Sequence, residues 1–191
     1  MVDVLSQLVD DNPGIPSWKS GLGFALLESG QVDKSRAMLQ REIASGFSQP
    51  DDYLKVLTLQ SWARISSRLA DQTAAQVLYR YLVPWTDLLP FTGATSNGAV
   101  AGELATLATV LGRYDDAETH FIHALELHEK LQAPFYISLT KLEWARMLVA
   151  RRREGDLSRA EEMLSSARDT AKSYGFAAVE SRAVEALATL N

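Results

Sequence analysis

The strongest constraint on this chain is a turn that keeps returning. Turn residues stand at Gly30, Ala70, Gly112 and Gly155, roughly 40 to 43 residues apart, and each separates two patterns of helical period. The third copy is the clearest. Leu104, Ala105 and Ala108 share one helical face, Gly112 makes the turn, and Tyr114, Ala117, Phe121 and Ala124 line a second helix. The fourth copy repeats this with Ala145 and Leu148, a turn at Gly155 and Asp156, then Leu157, Ala160, Leu164 and Ala167; Arg151 to Glu154 lengthen its first helix. The first copy runs Leu22, Gly23, Leu26, Gly30, Val32, Ser35 and Leu39, with Glu42 where a small residue is usual. The second has Trp62 and Ala63, then Asp71, Ala75, Tyr79 and Leu82, and departs from the pattern at the turn, where Ala70 replaces glycine. Small residues let two helix backbones cross closely, and an aromatic ring one turn on fills the space beside them.

These offsets match the tetratricopeptide signature, although the spacing exceeds that repeat's usual ~34 residues. The expectation is an all-α fold, a right-handed tetratricopeptide-like solenoid of about four helix pairs at 15–45, 51–83, 98–131 and 134–174, in one domain over 1–191. Gly175 ends the last pair, and Val179, Ala183, Ala186, Leu187 and Leu190 predict a capping helix over 177–190. Residues 84–97, with Pro84, Pro90, Gly93 and the following Gly98, read as a long loop between pairs two and three. Val4, Leu5, Leu8 and Val9 make half of an apolar helical face. Residues 1–10 are therefore expected to be the remnant of a preceding repeat in a chain cut from a longer array, and this exposed half-repeat is also a route to a homodimer.

Composition narrows the function. The 191 residues are 47% hydrophobic and 23% charged, the balance of a folded chain with its own core. A net charge of -5 gives no attraction for phosphate backbones, so no nucleic acid is expected as a partner of this segment. No apolar run reaches the ~18 to 20 residues of a membrane helix, and the first ten residues hold Asp3 and no basic residue, unlike a signal peptide. No membrane partner is expected. The absence of cysteine removes disulfides and thiolate chemistry and fits a cytoplasmic location.

A wider resemblance rests on longer runs. Leu82–Val83–Pro84–Trp85, Leu111 through Glu118 on to Phe121 and Glu129, Ala145–Arg146–Met147–Leu148, and Gly155 to Ala160 resemble the C-terminal helical region of large bacterial signalling ATPases. That group includes actinobacterial nucleotide cyclases and LuxR-type regulators similar to the maltose regulator. The resemblance implies a regulatory or sensing arm beside an ATPase module. It carries over neither ATP binding nor DNA binding, because no phosphate loop ending in Lys-Ser or Lys-Thr and no helix-turn-helix segment is present.

Reactive constellations are sparse. His120, His123 and His128 share one helix, but His-Glu-x-x-His is absent and a zinc site needs three or four ligands, so they read as solvated histidines on a helix face. No metal or cofactor is expected. The serines lack a Gly-x-Ser-x-Gly elbow, and Gly21 and Gly23 follow no strand, so neither acyl transfer nor dinucleotide binding is indicated. Helix packing accounts better for those glycines. The chain is expected not to be an enzyme.

Tetratricopeptide geometry would place Phe24, Leu27, Arg64, Arg68, Thr106, Thr109 and Arg146 on a concave groove. Its arginines would either hold the carboxylates of an acidic peptide or chain terminus, or pair with neighbouring acids. Trp85 and Phe91 either pack back on the helices or stand out as anchors for a partner. The run Arg151 to Arg153 reads as a solvated turn. Together these predict an interaction or regulatory module whose partner is a protein, a peptide or another domain of a larger parent chain. The alternative is an inducer-sensing domain controlling an attached ATPase or cyclase.

Overall fold

The repeating stripes of small and branched residues are what each helix buries. The computed structural model describes residues 1–47, 52, 54–93 and 95–190, and among them the chain is all-α, as the periodicity requires. Ten helices follow in order: α1 Val2–Asp11, α2 Pro16–Glu28, α3 Val32–Ala44, α4 Lys55–Arg68, α5 Gln72–Leu82, α6 Val100–Val110, α7 Tyr114–Lys130, α8 Pro134–Arg151, α9 Asp156–Tyr174 and α10 Ala177–Ala188. A 3-10 turn, Val83–Trp85, leads out of α5. The start expected for the second pair, at residues 51 and 53, lies outside the described residues. The chain divides into two compact units, Met1–Leu111 and Gly112–Asn191. The boundary falls within the third expected pair, so α6 packs with α4 and α5, and α7 with α8.

In unit 1, α2 starts on Pro16, whose fixed φ and missing N–H suit a first helical position. Its Gly23 is buried because α4 crosses there: a Cβ on Gly23 would lie 2.9 Å from the Trp62 ring and 3.1 Å from Ile65. Ser35 of α3 donates its hydroxyl to the Gly23 carbonyl at 2.8 Å, tying the second helix of the pair to the same spot. Trp62, Ala63 and Ile65 of α4 are fully buried, as are Ala74, Ala75, Leu78 and Leu82 of α5. Asp71 caps α5 by accepting from the Ala74 amide at 3.0 Å. The turn before it holds Ala70 at φ +49, the left-handed conformation that Gly30 adopts at the corresponding place with φ +79. The substitution therefore left the turn geometry intact and put a side chain into it.

In unit 2, α7 buries Ala117, Phe121 and Ala124, and the Phe121 ring stacks on Trp144 of α8 with centroids 5.9 Å apart. The fourth pair departs from expectation at its turn. Helix α8 stops at Arg151, and Arg152, at φ +56, and Gly155, at φ +81, reverse the chain; residues 152–154 extend no helix. Leu157 is 54% exposed, against its expected inward place. The buried stripe of α9 is Asp156, Ala160, Leu164, Ala167 and Ala171, because Asp156 turns inward onto an arginine and sets the register. Helix α10 buries Val179 and Ala183.

Candidate functional site

Two kinds of surface stand out, an arginine-rich helix face and an exposed apolar loop. They meet at α4 in unit 1. Arg64 of α4 donates through Nε to Glu103 Oε1 of α6 at 3.2 Å and through Nη2 to the same oxygen. Its Nη2 also donates to the carbonyl of Asn97 at 3.1 Å. Glu103 is 6% exposed and is the single charged residue of α6, so Arg64 is the cation that makes its burial tolerable. One turn on, Ser67 donates to Thr106 at 3.1 Å, and Arg68 donates to Glu28 of α2 at 2.8 Å. Thr109 turns its hydroxyl onto the carbonyl of Ala105.

The groove residues expected from the sequence thus spend their polar groups within the chain. Arg64 and Arg68 point to neighbouring helices, and Arg146, in unit 2, lies 3.6 Å from Glu143 one turn before it. Glu143 also takes the guanidinium of Arg182 from α10. Phe24 is half-buried on α2 and Leu27 is buried. Each of the three arginines pairs with an acid of its own unit, the second of the two readings open to them.

The loop after α5 behaves differently. Trp85 is 40% exposed and Phe91 68%, with Tyr81, Val83 and Leu88 also exposed, while Pro90 is buried. Between Tyr81 and Ala99 the sequence holds one charge, Asp87. The feet of the loop are joined by the Val100 amide donating to Leu88 O at 3.0 Å. Near its tip, Thr92 N donates to Thr95 O at 3.0 Å, Thr95 N donates to Thr92 Oγ1 at 3.1 Å, and Phe91 and Ser96 form an isolated antiparallel bridge. The far foot is pinned to α4. Asn97 Nδ2 donates to Leu57 O and Ser61 Oγ, each at 3.1 Å, and the fully buried Gln60 donates to Gly98 O at 3.1 Å.

Unit 2 has its own polar cluster. The Arg151 side chain is nearly buried and holds Asp156, which is 2% exposed, together with Glu118 of α7. Bonding from Arg151 brings the Asp156 carboxyl down to about 2, outweighing its burial. Burial works against ionised Glu118, yet bonds from Arg151 and Arg159 hold its carboxyl below the usual range. The arginine run expected to be solvated is therefore partly a structural clamp through Arg151; Arg152 and Arg153 are exposed, and Arg153 pairs with exposed Asp115. His128 also departs from expectation. It is 3% exposed, shares a hydrogen bond with Thr140 at 3.1 Å, stacks on Tyr136, and is pushed down to about 4 by burial. Among the described residues no three metal-ligating side chains come together.

Sequence reasoning missed Asn97, Gln60 and Glu103. Glu103 left a signal: it is a lone acid inside the apolar run Val100–Val110, and Arg64 stands one repeat length before it. Asn97 left none, because Ser-Asn-Gly reads as a turn wherever it occurs.

Comparison with known proteins adds little to this geometry. No protein-family model matches the chain, and no curated protein matches it in sequence. Among solved structures, the crystal structure of BtubC (BKLC) from P. vanneervenii is similar at 13% identity with a TM-score of 0.48, over 99% of this chain and 86% of that one.

Proposed function

We propose that the chain is a non-catalytic interaction and regulatory module built of tetratricopeptide-like helix pairs, and that it engages a protein partner through the loop surface around Trp85 and Phe91. The exposure of those two rings carries the reading. Large apolar side chains held out to water on a self-bonded loop, in a stretch with a single charge, are the composition of a binding anchor. Ordering that loop beforehand lowers the entropy lost on binding. The repeat character is supported by the separation of the long-range pairs: Gln60 to Gly98 spans 38 residues, Arg64 to Glu103 and Arg182 to Glu143 span 39, and Arg68 to Glu28 spans 40. Bonds that recur at close to the spacing of the turns are what stacked copies of one unit would make.

The resemblance to the helical arm of bacterial signalling ATPases supports a place in a larger signalling or transcription-regulatory protein. An inducer-sensing role would ask for a closed apolar pocket. The cleft bounded by Val9, Pro16, Lys19, Met38, Arg41 and Glu42 is open and bears three charged side chains, so it does not favour that reading. The arginine groove is likewise less favoured, because its cations already hold carboxylates.

The test is affinity capture on the whole chain, comparing wild type with Trp85→Ser/Phe91→Ser and with Arg64→Glu/Arg146→Glu, each shown to be folded by circular dichroism. A partner retained by wild type and lost more than about tenfold by the loop variant is expected. Capture that survives the loop variant and disappears with the arginine variant would move the site to the groove. Capture unchanged by both would end the proposal.

A further inference from the structure

Arg64 spends its guanidinium on Glu103 and on the Asn97 carbonyl, both within its own unit. We infer that Arg64 is the latch of a preorganised recognition loop: it fastens the far foot of the Phe91 loop to the helical body and so sets how the exposed rings are presented. This deepens the loop-binding reading above and rests on it.

One guanidinium joins three parts of unit 1. Its own helix is α4, its carboxylate partner Glu103 belongs to α6, and its second acceptor is the Asn97 carbonyl at the end of the loop. A planar, permanently charged fork suits this better than a lysine, which offers a compact point charge and no fixed pair of directions. The rest of the foot is arranged around the same place. The Asn97 amide reaches back to Leu57 O and Ser61 Oγ of α4. Gln60 holds the carbonyl of Gly98, and Gly98 sits at φ +82, accessible to glycine at little cost. The Gly98 amide is taken by Ser96 Oγ at 3.0 Å.

The other foot is joined to the start of α6 by the bond from Val100 N to Leu88 O, with Pro90 buried beside it. Side-chain bonds between the loop and α4 gather at Asn97 and Gly98, and Arg64 brings a guanidinium to that foot. Glu103 keeps that group in place, since a buried carboxylate loses its counter-charge if the arginine swings away. The pair thus has two consequences at once: it satisfies a buried acid of α6 and it closes the loop.

Hydrogen exchange on the whole chain tests this without any partner, so failure of the latch and failure of the interaction reading are read separately. Arg64→Ala is expected to speed exchange at the Thr92, Thr95, Gly98 and Val100 amides by about tenfold, the effect of one ordinary hydrogen bond. The interior amides of α4 and α5 should change by less than about twofold. Arg64→Lys should fall between, because one ammonium cannot reproduce the fork. Asn97→Ala, which leaves the Arg64–Glu103 pair intact, should open the same loop amides, and Phe91→Ala should leave them protected. The inference is overturned if Arg64→Ala leaves those four amides within about twofold of wild type, or opens loop and helices alike. It is also overturned if Phe91→Ala releases the loop as much as Arg64→Ala does.

Discussion

Ala70 illustrates how a single residue can obey the fold against its own preference. At φ +49 its Cβ crowds the neighbouring carbonyl, a conformation that costs an L-residue about 1 to 2 kcal/mol. Ala70→Gly removes that cost and gives part of it back as unfolded-chain entropy, so a net gain of about 0.5 to 1 kcal/mol is expected from urea denaturation. His128 makes a pH-dependent contribution. Its folded value, about 4, lies below the ordinary 6.5. As pH falls below 6.5 the unfolded chain binds a proton that the folded chain refuses. Stability present above that pH is therefore lost down to about pH 4, where the folded form also titrates. Between pH 7 and pH 5 the loss should be on the order of 2 kcal/mol, and His128→Gln should flatten it. An unchanged slope in the variant would remove His128 as the cause. Asp156 titrates lower, between 3.8 and about 2, so its clamp stays in force through that interval.

At the level of elements, the spacing of small and aromatic residues made most helices readable, because a helix with one apolar stripe has one way to bury it. Helix α7 is the plainest case: Ala117, Phe121 and Ala124 were expected inward and are buried. Phe121→Ala would leave a ring-sized gap opposite Trp144, and a loss of roughly 3 to 5 kcal/mol is expected by thermal or urea unfolding. A loss below about 1 kcal/mol would contradict the stacked core position. Helix α9 shows where the stripe misleads. Leucine at 157 fits an apolar pattern better than aspartate at 156, but periodicity counts only hydrophobicity and cannot see that Arg151 turns Asp156 into a buried partner. The same blindness hid Glu103. An acid in an apolar helix looks like an error in the pattern until its counter-ion, 39 residues away, is in view.

At the scale of the whole molecule, each unit has a core of its own, one around Trp62, Ile65, Leu78 and Leu104, the other around Phe121, Leu142, Met147 and Leu148. The all-α class, the helix-turn alternation and the approximate place of each turn were decided in the amino-acid sequence, since they depend on local periodicity and on residues that tolerate a left-handed backbone. Tertiary structure alone decided the rest. Whether an arginine meets a partner's carboxylate or its own chain's, and whether Trp85 and Phe91 are covered or held out to water, depends on which segments far apart in sequence come to lie together. Those choices follow from packing and desolvation over tens of residues, and a local pattern carries no record of them.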